Sequence, residues 1–542
     1  MQLLDRDIHL ARALIIDANP TARSVLAGQL RDLGVQQVRQ MSRVQDARTV
    51  LEEAPHDIVL CEMNFEGAAM SGQDLLDELR REQLLPYSTA FILVTGDASY
   101  AQVQEAAEAT VDGFLVKPCS GLALAERLTE VRRRKRTLKA IYEAIQAREL
   151  LRAAALAEQR FVARDSYWSF AAQLAAELWL RTDQPQRALK IYQTLIETRP
   201  TAWARVGVAR VYLATGDLPA ARRLLDELVM QSPEYADAHD LLACVAVEQG
   251  DFAAALTAFR QAANLTPGCL LRMQHLGALA FYQGQMDEAV QQLERTLALG
   301  RRSKLFDLGC LLLLGLLKFD LRDARGLVTV TEQVLALSEA DPASTRLRRV
   351  RRMLGGLSAV LKQRPDDALG VARELAAEVM APDFDLEAAA LTISLWARLR
   401  SGEVPLKEFD TLLRAAGLRF AVSKAAIEML VAATDDQAPA IETLRNCAAV
   451  INNIAEQAMS RSAAGQAAQA VEMLLDQGEH TRNARLLEMA GAVTRRHAEQ
   501  LADAAALQAR VTVLQEGWCA PLTHIAGVRR SARAPGGVVL RT

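Results

Sequence analysis

Apolar residues in the first 130 positions gather in five short runs of strand length: RALIID (12–17), QQVRQM (36–41), DIVLCE (57–62), AFILVT (90–95) and DGFLV (112–116). Between them, stretches such as PTARSVLAGQLRDLG, SGQDLLDELRRE and SYAQVQEAAEA place apolar residues every third or fourth position, the spacing of a helix with one buried face. Strands this apolar need cover on both sides, so the alternation predicts a parallel five-stranded sheet wrapped by helices, a (βα)5 α/β domain. After about residue 134 the strand pattern stops and helical spacing runs on almost to the end, with Ala and Leu dominant.

A second, longer period appears in that helical part. Gly216, Gly250 and Gly284 recur every 34 residues, as do Ala221, Ala255 and Ala289, while Ala209, Ala243 and Gly277 form a third column. Leu225, Phe259 and Leu293, and the pair Pro233 and Pro267, keep the same register, and Ala188, Tyr192 and Pro200 extend it backwards. Small residues at two fixed places let paired helices approach closely, Gly supplies the turn between them, and Pro ends the unit. Each unit therefore reads as a helical hairpin, and a stack of hairpins is a solenoid with a concave side free to bind.

The units resemble the tetratricopeptide repeat over 168–301. Beyond 301 the period blurs, although RPDDALGVARELAAEV (364–379) and GQAAQAVEMLL (465–475) keep the look of second helices, so 302–512 is expected to continue as degenerate repeats. The segment TEVRRRKRTLKAIYEAIQARELLRAAALAEQRF has neither Pro nor Gly and predicts one continuous helix, which would make the linker at 134–167 stiff. The tail at 513–542 is expected to be disordered over its last part, 527–542, rich in Gly, Pro and Arg.

In a parallel sheet the reactive groups collect at the carboxyl ends of the strands. Those positions hold Asp17, Glu62, Thr95 and Lys117, and Lys117 is the only lysine before residue 135. A compact ammonium rather than a guanidinium is wanted there. Pro118 follows it, in a dipeptide that suits a cis peptide turn.

With ALIIDANP, IVLCEMN, ILVTG and GFLVKP at matching strand ends, residues 10–133 resemble the receiver domain of bacterial two-component response regulators. The resemblance implies a flavodoxin-like (βα)5 receiver at 1–133, a phosphorylated aspartate after the third strand, a magnesium ion held by acids after the first, a Thr and a Lys contacting the phosphoryl group, and an aromatic on the fifth strand that swings inward. Thr95, Lys117, Phe114 and Pro118 match that pattern, and Asn64 falls in the pocket. Two positions depart from it. Glu62 stands where the aspartate belongs, its extra methylene moving the carboxylate about 1.5 Å outward, and Asp17-Ala18 replaces an acidic pair. Asp17 alone is a weak magnesium ligand, so no cofactor is expected. The loop NFEGAAMSG is also longer than the family's usual turn.

A pseudo-receiver follows from this, open to two readings: Glu62 as a fixed negative charge mimicking the phosphorylated state, or Glu62 salt-bridged to Lys117 in an inert docking module. The composition narrows the rest. A formal charge of -3 gives no global basic field. Two arginine-rich runs, RRRKR (132–136) and RLRRVRR (346–352), read as helix faces or as partners of nearby acids rather than nucleic-acid patches. Seven cysteines without a CxxC pair fit reduced thiols, and seven histidines without HxxxH or HExxH spacing leave no metal catalysis. The longest apolar run, LGCLLLLGLL (308–317), is too short to span a membrane and the charged N-terminus is no signal peptide, so the expectation is cytoplasmic.

The functional expectation is a non-enzymatic interaction protein in bacterial signalling that binds or sequesters a protein partner through its solenoid groove, with a homodimer through the receiver also open. Two alternatives stand beside it. One is a phosphorylation-responsive switch of solenoid binding; the other is a nucleic-acid-binding regulator.

Overall fold

The computed structural model describes residues 7–65, 70–81, 84–96, 112–198, 201–300, 303, 305–399, 406–518, 524–525 and 528–529. Five strands, β1 (Arg12–Ile16), β2 (Gln37–Met41), β3 (Ile58–Glu62), β4 (Ala90–Thr95) and β5 (Gly113–Val116), form a parallel sheet in the order β2-β1-β3-β4-β5. The period of two divides each strand between two cores. Leu14, Ile16, Val59, Cys61, Phe91 and Leu93 pack under the helices Val44–Glu53 (α2) and Gly72–Arg81 (α3). Ala13, Ile15, Ile58, Leu60, Ile92 and Val94 pack on the other face, under Pro20–Asp32 (α1) and the helix Gly121–Thr137. The fourth helical stretch expected from the sequence, SYAQVQEAAEA, lies outside the described residues.

The linker is not one helix. It breaks at Leu138 and again at Arg148, giving helices Gly121–Thr137, Lys139–Gln146 and Leu150–Val162. No Gly or Pro was needed for the second break, because Arg148 itself adopts a left-handed φ of 61°. That turn folds the Leu150–Val162 helix back on Lys139–Gln146, and a second left-handed turn at Arg164 and Tyr167 pairs it with the helix Trp168–Arg181.

Helical hairpins then follow one another. The pairs are Trp168–Arg181 with Pro185–Thr198, Ala202–Thr215 with Leu218–Gln231, Ala236–Glu248 with Phe252–Leu265, and Leu270–Tyr282 with Met286–Gly300. Gly216, Gly250 and Gly284 sit in the hairpin turns at φ of 80°, 70° and 66°, a conformation that costs a Cβ-bearing residue about 1–2 kcal/mol. Ala209, Ala221, Ala243, Ala255 and Ala289 are buried between the helices, and a Cβ on Gly277 would meet Leu293 at 2.9 Å.

Hairpins continue past 301: Gly309–Asp320 with Ala324–Ala340, and Thr345–Leu361 with Pro365–Ala377. Here Arg322 and Gln363 hold the left-handed turn position, at φ of 57° and 58°. The period blurs because the turn survives while its glycine does not. Leu386–Leu399, Leu406–Phe420, Lys424–Ala432, Ala438–Ala463, Ala467–Thr481, Ala484–Arg496 and Ala504–Trp518 complete the helical part.

First helices of neighbouring hairpins touch, Ala202–Thr215 with Ala236–Glu248, and Leu270–Tyr282 through Gly309–Asp320, Thr345–Leu361 and Leu386–Leu399 to Lys424–Ala432, and form the inner wall. This wall closes on itself: the Ala236–Glu248 helix reaches Lys424–Ala432, and a Cβ on Gly250 would lie 3.1 Å from Lys424. The concave side is therefore not open along its length, contrary to the sequence expectation. Leu270–Tyr282, Gly309–Asp320 and Leu386–Leu399 are buried on nearly every side. The tail differs from expectation too. Residues 524–525 and 528–529 pair as a two-stranded antiparallel ribbon, β6 and β7, set against the inner wall, while 530–542 lie outside the described residues.

Candidate functional site

At the carboxyl rim of the sheet, Asp17, Glu62, Thr95 and Lys117 come together as the strand ends require. Asp17 follows β1 and is almost fully buried; its Oδ1 accepts the Asn19 N–H at 2.8 Å. Asn19 in turn caps α1, accepting from the N–H groups of Thr21 and Ala22. Lys117 follows β5, anchored by its own N–H to the Thr95 carbonyl at 2.7 Å, and the Lys117–Pro118 peptide is cis.

The Lys117 ammonium lies between two carboxylates. Its Nζ is 2.6 Å from Asp17 Oδ2 and pairs with Glu62 Oε2. The other Glu62 oxygen accepts the Met63 N–H at 3.1 Å. Burial opposes the lysine's charge, but the hydrogen bonds it donates to Asp17 and Glu62 outweigh it and hold the ammonium above its ordinary range. Burial first, then Glu62 and Asp17, drive the neighbouring Cys61 thiol far up, so it is no nucleophile. Gly72 presses on this corner: its N–H donates to the Met63 carbonyl at 2.8 Å, and a Cβ there would collide with the Glu62 backbone.

For a magnesium ion this donor set is a poor one. Ala18 offers no carboxylate, and all four carboxylate oxygens of Asp17 and Glu62 already accept a hydrogen bond or an ion pair. The Lys117 ammonium already contacts both acids, so a cation held there would compete with it for the same two carboxylates. Asn64 is exposed at the start of the following loop, whose residues 66–69 lie outside the described residues; Phe114 is half-buried against the α2–α3 core.

Sequence reasoning missed what α3 does at its other end. Glu78 is buried and pairs with the equally buried Arg48 of α2 at 2.6 Å. Its second oxygen accepts the N–H of Leu270 at 3.0 Å, at the start of the Leu270–Tyr282 helix. An acid at a helix N-terminus meets both the unsatisfied N–H and the positive end of the dipole. Leu270, Met273 and Leu305 of the solenoid join the α2–α3 core directly, and Ser303 donates to Glu52 at 2.7 Å. The receiver-like domain is thus seated on the solenoid. The one signal in the sequence was Arg48, a charge inside the apolar stripe Val44, Ala47, Leu51.

A second junction explains the first arginine run. Asp112 receives Arg80 at 2.9 Å, Lys135 at 2.7 Å and Arg134, and also the Phe91 N–H. Lys135 donates on to the Tyr87 carbonyl, Tyr87 stacks on Tyr142, and Arg134 lies 4.0 Å over the Phe170 ring. Arg134 and Lys135 are therefore buried structural cations. In the second run, Arg346 pairs with Asp307 and Glu387, and Arg349 and Arg352 pair with Glu378. Both runs spend key charges on acids of the same chain.

Comparison with known proteins agrees with this architecture. The response regulator receiver domain family matches residues 13–129, and two tetratricopeptide repeat families match 180–243 and 241–303. Chemotaxis protein CheY-3 of Vibrio cholerae is 32% identical over 120 residues, 22% of this chain and 90% of that protein. Chemotaxis protein CheY of Pseudomonas aeruginosa is 31% identical over 120 residues, 22% of this chain and 94% of that protein. A solved tetratricopeptide repeat protein from Parabacteroides merdae covers 48% of this chain and 97% of its own at 12% identity, with a TM-score of 0.35.

Proposed function

The chain belongs to the response regulator receiver family, with tetratricopeptide repeats behind the receiver, and from that premise we propose that it signals by binding other proteins and not by phosphoryl transfer. One observation carries the reading: Glu62 stands where the aspartate belongs, and its carboxylate is held by the Lys117 ammonium, itself lodged against Asp17, and by the Met63 N–H. A nucleophile displaced by a methylene is misplaced for in-line attack by enough to cost orders of magnitude in rate.

Of the two readings of Glu62, the salt-bridged docking module is better supported than the phosphate mimic. The ammonium neutralises the charge a mimic would display, and the whole α2–α3 side is committed to the solenoid through Glu78, Glu52 and a shared core. The receiver then serves as a rigid cap that orders the fourth hairpin, and the solenoid is the surface that recognises a protein partner. Among the described residues no helix is long and apolar enough to cross a membrane.

Intact-mass measurement after incubation with acetyl phosphate and magnesium tests this. The expected result is no phosphate adduct on the wild type. An adduct abolished by Glu62→Gln would overturn the proposal and restore the phosphorylation switch.

A further inference from the structure

The inner wall carries one segment that the repeats do not account for. In the ribbon, His524 pairs with Arg529 and Ile525 with Val528. The β6 strand lies against the helices Leu386–Leu399 and Lys424–Ala432, and β7 against Leu270–Tyr282. All three belong to the inner wall. Ile525 is wholly buried there, in the same core as Leu279, Leu391 and Met429.

A ribbon of two residues a side has no stability of its own. It is held by the wall, as a bound peptide would be, and it is delivered by the preceding helix, whose Trp518 carbonyl accepts from Arg419 at 3.3 Å. Arg419 also clamps the carbonyls of Val379 and Ala381 at 2.6 Å and 2.9 Å. The segment thus enters from a fixed point. After Glu516 the chain has no acid, and Arg529, Arg530 and Arg533 follow the buried isoleucine.

We propose that this segment is an internal occupant of the partner groove, an autoinhibitory contact that a partner must displace. This rests on the reading that the solenoid binds proteins, and it names the partner's chemistry: an extended or hairpin segment with a branched aliphatic anchor followed by arginines. Tethering gives the internal copy an effective concentration of about millimolar, so an equal copy added in solution competes poorly until the anchor is lost.

The test uses the full chain and a fluorescein-labelled peptide of residues 520–534, read by anisotropy. Ile525→Ser is expected to bind the peptide about tenfold or more tightly than the wild type, and a peptide with Ser in place of the isoleucine is expected not to bind. Equal affinity for the two proteins, equal affinity for the two peptides, or no binding to an Ile525→Ser protein that keeps its helical signal and melting transition would overturn the proposal. Should Ile525→Ser not fold, a protease site placed at 520–523 and cut after folding releases the tether in the native protein, with the same expectation. The broader reading has a separate readout. A partner that binds wild type and Ile525→Ser equally leaves the protein-binding solenoid standing and removes only the autoinhibition.

Discussion

Glu78→Ala should weaken the union of receiver and solenoid more than any surface change. The carboxylate does two things at once, and both are buried: it neutralises Arg48 at 2.6 Å and caps Leu270 at 3.0 Å. Removing it strands a guanidinium whose Nε and Nη1 already have no hydrogen-bond partner. Breaking a buried pair from one side costs about 3–5 kcal/mol, and the lost charged hydrogen bond to Leu270 is part of that sum. The double change Arg48→Met with Glu78→Leu removes both charges, so it should recover most of the loss and leave only the cap, about 1 kcal/mol. Urea unfolding of the four members of the cycle gives the coupling, and hydrogen exchange at the Leu270–Tyr282 amides localises it. Glu78→Ala costing under about 1 kcal/mol, or additive single changes, would show that the pair is not what joins the domains.

The turn and packing glycines should separate cleanly. Gly216→Ala meets no atom within 4 Å, so it should cost only the left-handed penalty of about 1–2 kcal/mol, whereas Gly277→Ala must displace Leu293; thermal melts in which Gly216→Ala is harmless would discount the turn argument. Lys135 is held down to about 7 by burial, with Arg80 and Arg134 adding to it against Asp112. The unfolded lysine keeps its proton to about 10.4, so stability should rise from about pH 7 to pH 10, and Lys135→Met should flatten the rise; a wild-type profile that falls there would contradict it. Glu177 is raised to about 7 by burial, only partly opposed by Arg210 and Arg181. Its contribution should be present at pH 4 and fade as pH climbs to about 7, a slope that Glu177→Gln removes in the same measurement. Because the arginine runs are paired with acids, duplex DNA and RNA should not be retained at moderate salt; steeply salt-dependent retention would revive the nucleic-acid reading.

The sheet was legible because each strand is apolar enough to be read without its neighbours, and all five fall within one residue of their apolar runs. The repeat columns were legible for a related reason: Gly at φ of 80° and Ala between helices are demands of backbone geometry that few other residues meet. What escaped was set by contacts between distant parts. Arg148, Arg322 and Gln363 take left-handed turns without any glycine to announce them. Glu78 looks like an ordinary charged residue on α3, and only the approach of Leu270, 192 residues away, gives it a role. Asp17, Glu62 and Lys117 share one rim, yet whether Glu62 faces solvent or Lys117 is decided by packing, with Gly72 closing over the corner.

The closure of the inner wall, where Gly250 meets Lys424, has a bearing on how such a protein can change over time. An open solenoid is extendable: a unit added or deleted alters only its two neighbours, and stability grows unit by unit. Here the count of units between the Ala236–Glu248 and Lys424–Ala432 helices is fixed, because one hairpin more would carry Lys424 past Gly250 and one fewer would leave it short. Duplication and loss of repeats, the ordinary route by which solenoids diversify, is barred between those two helices and left open only outside them.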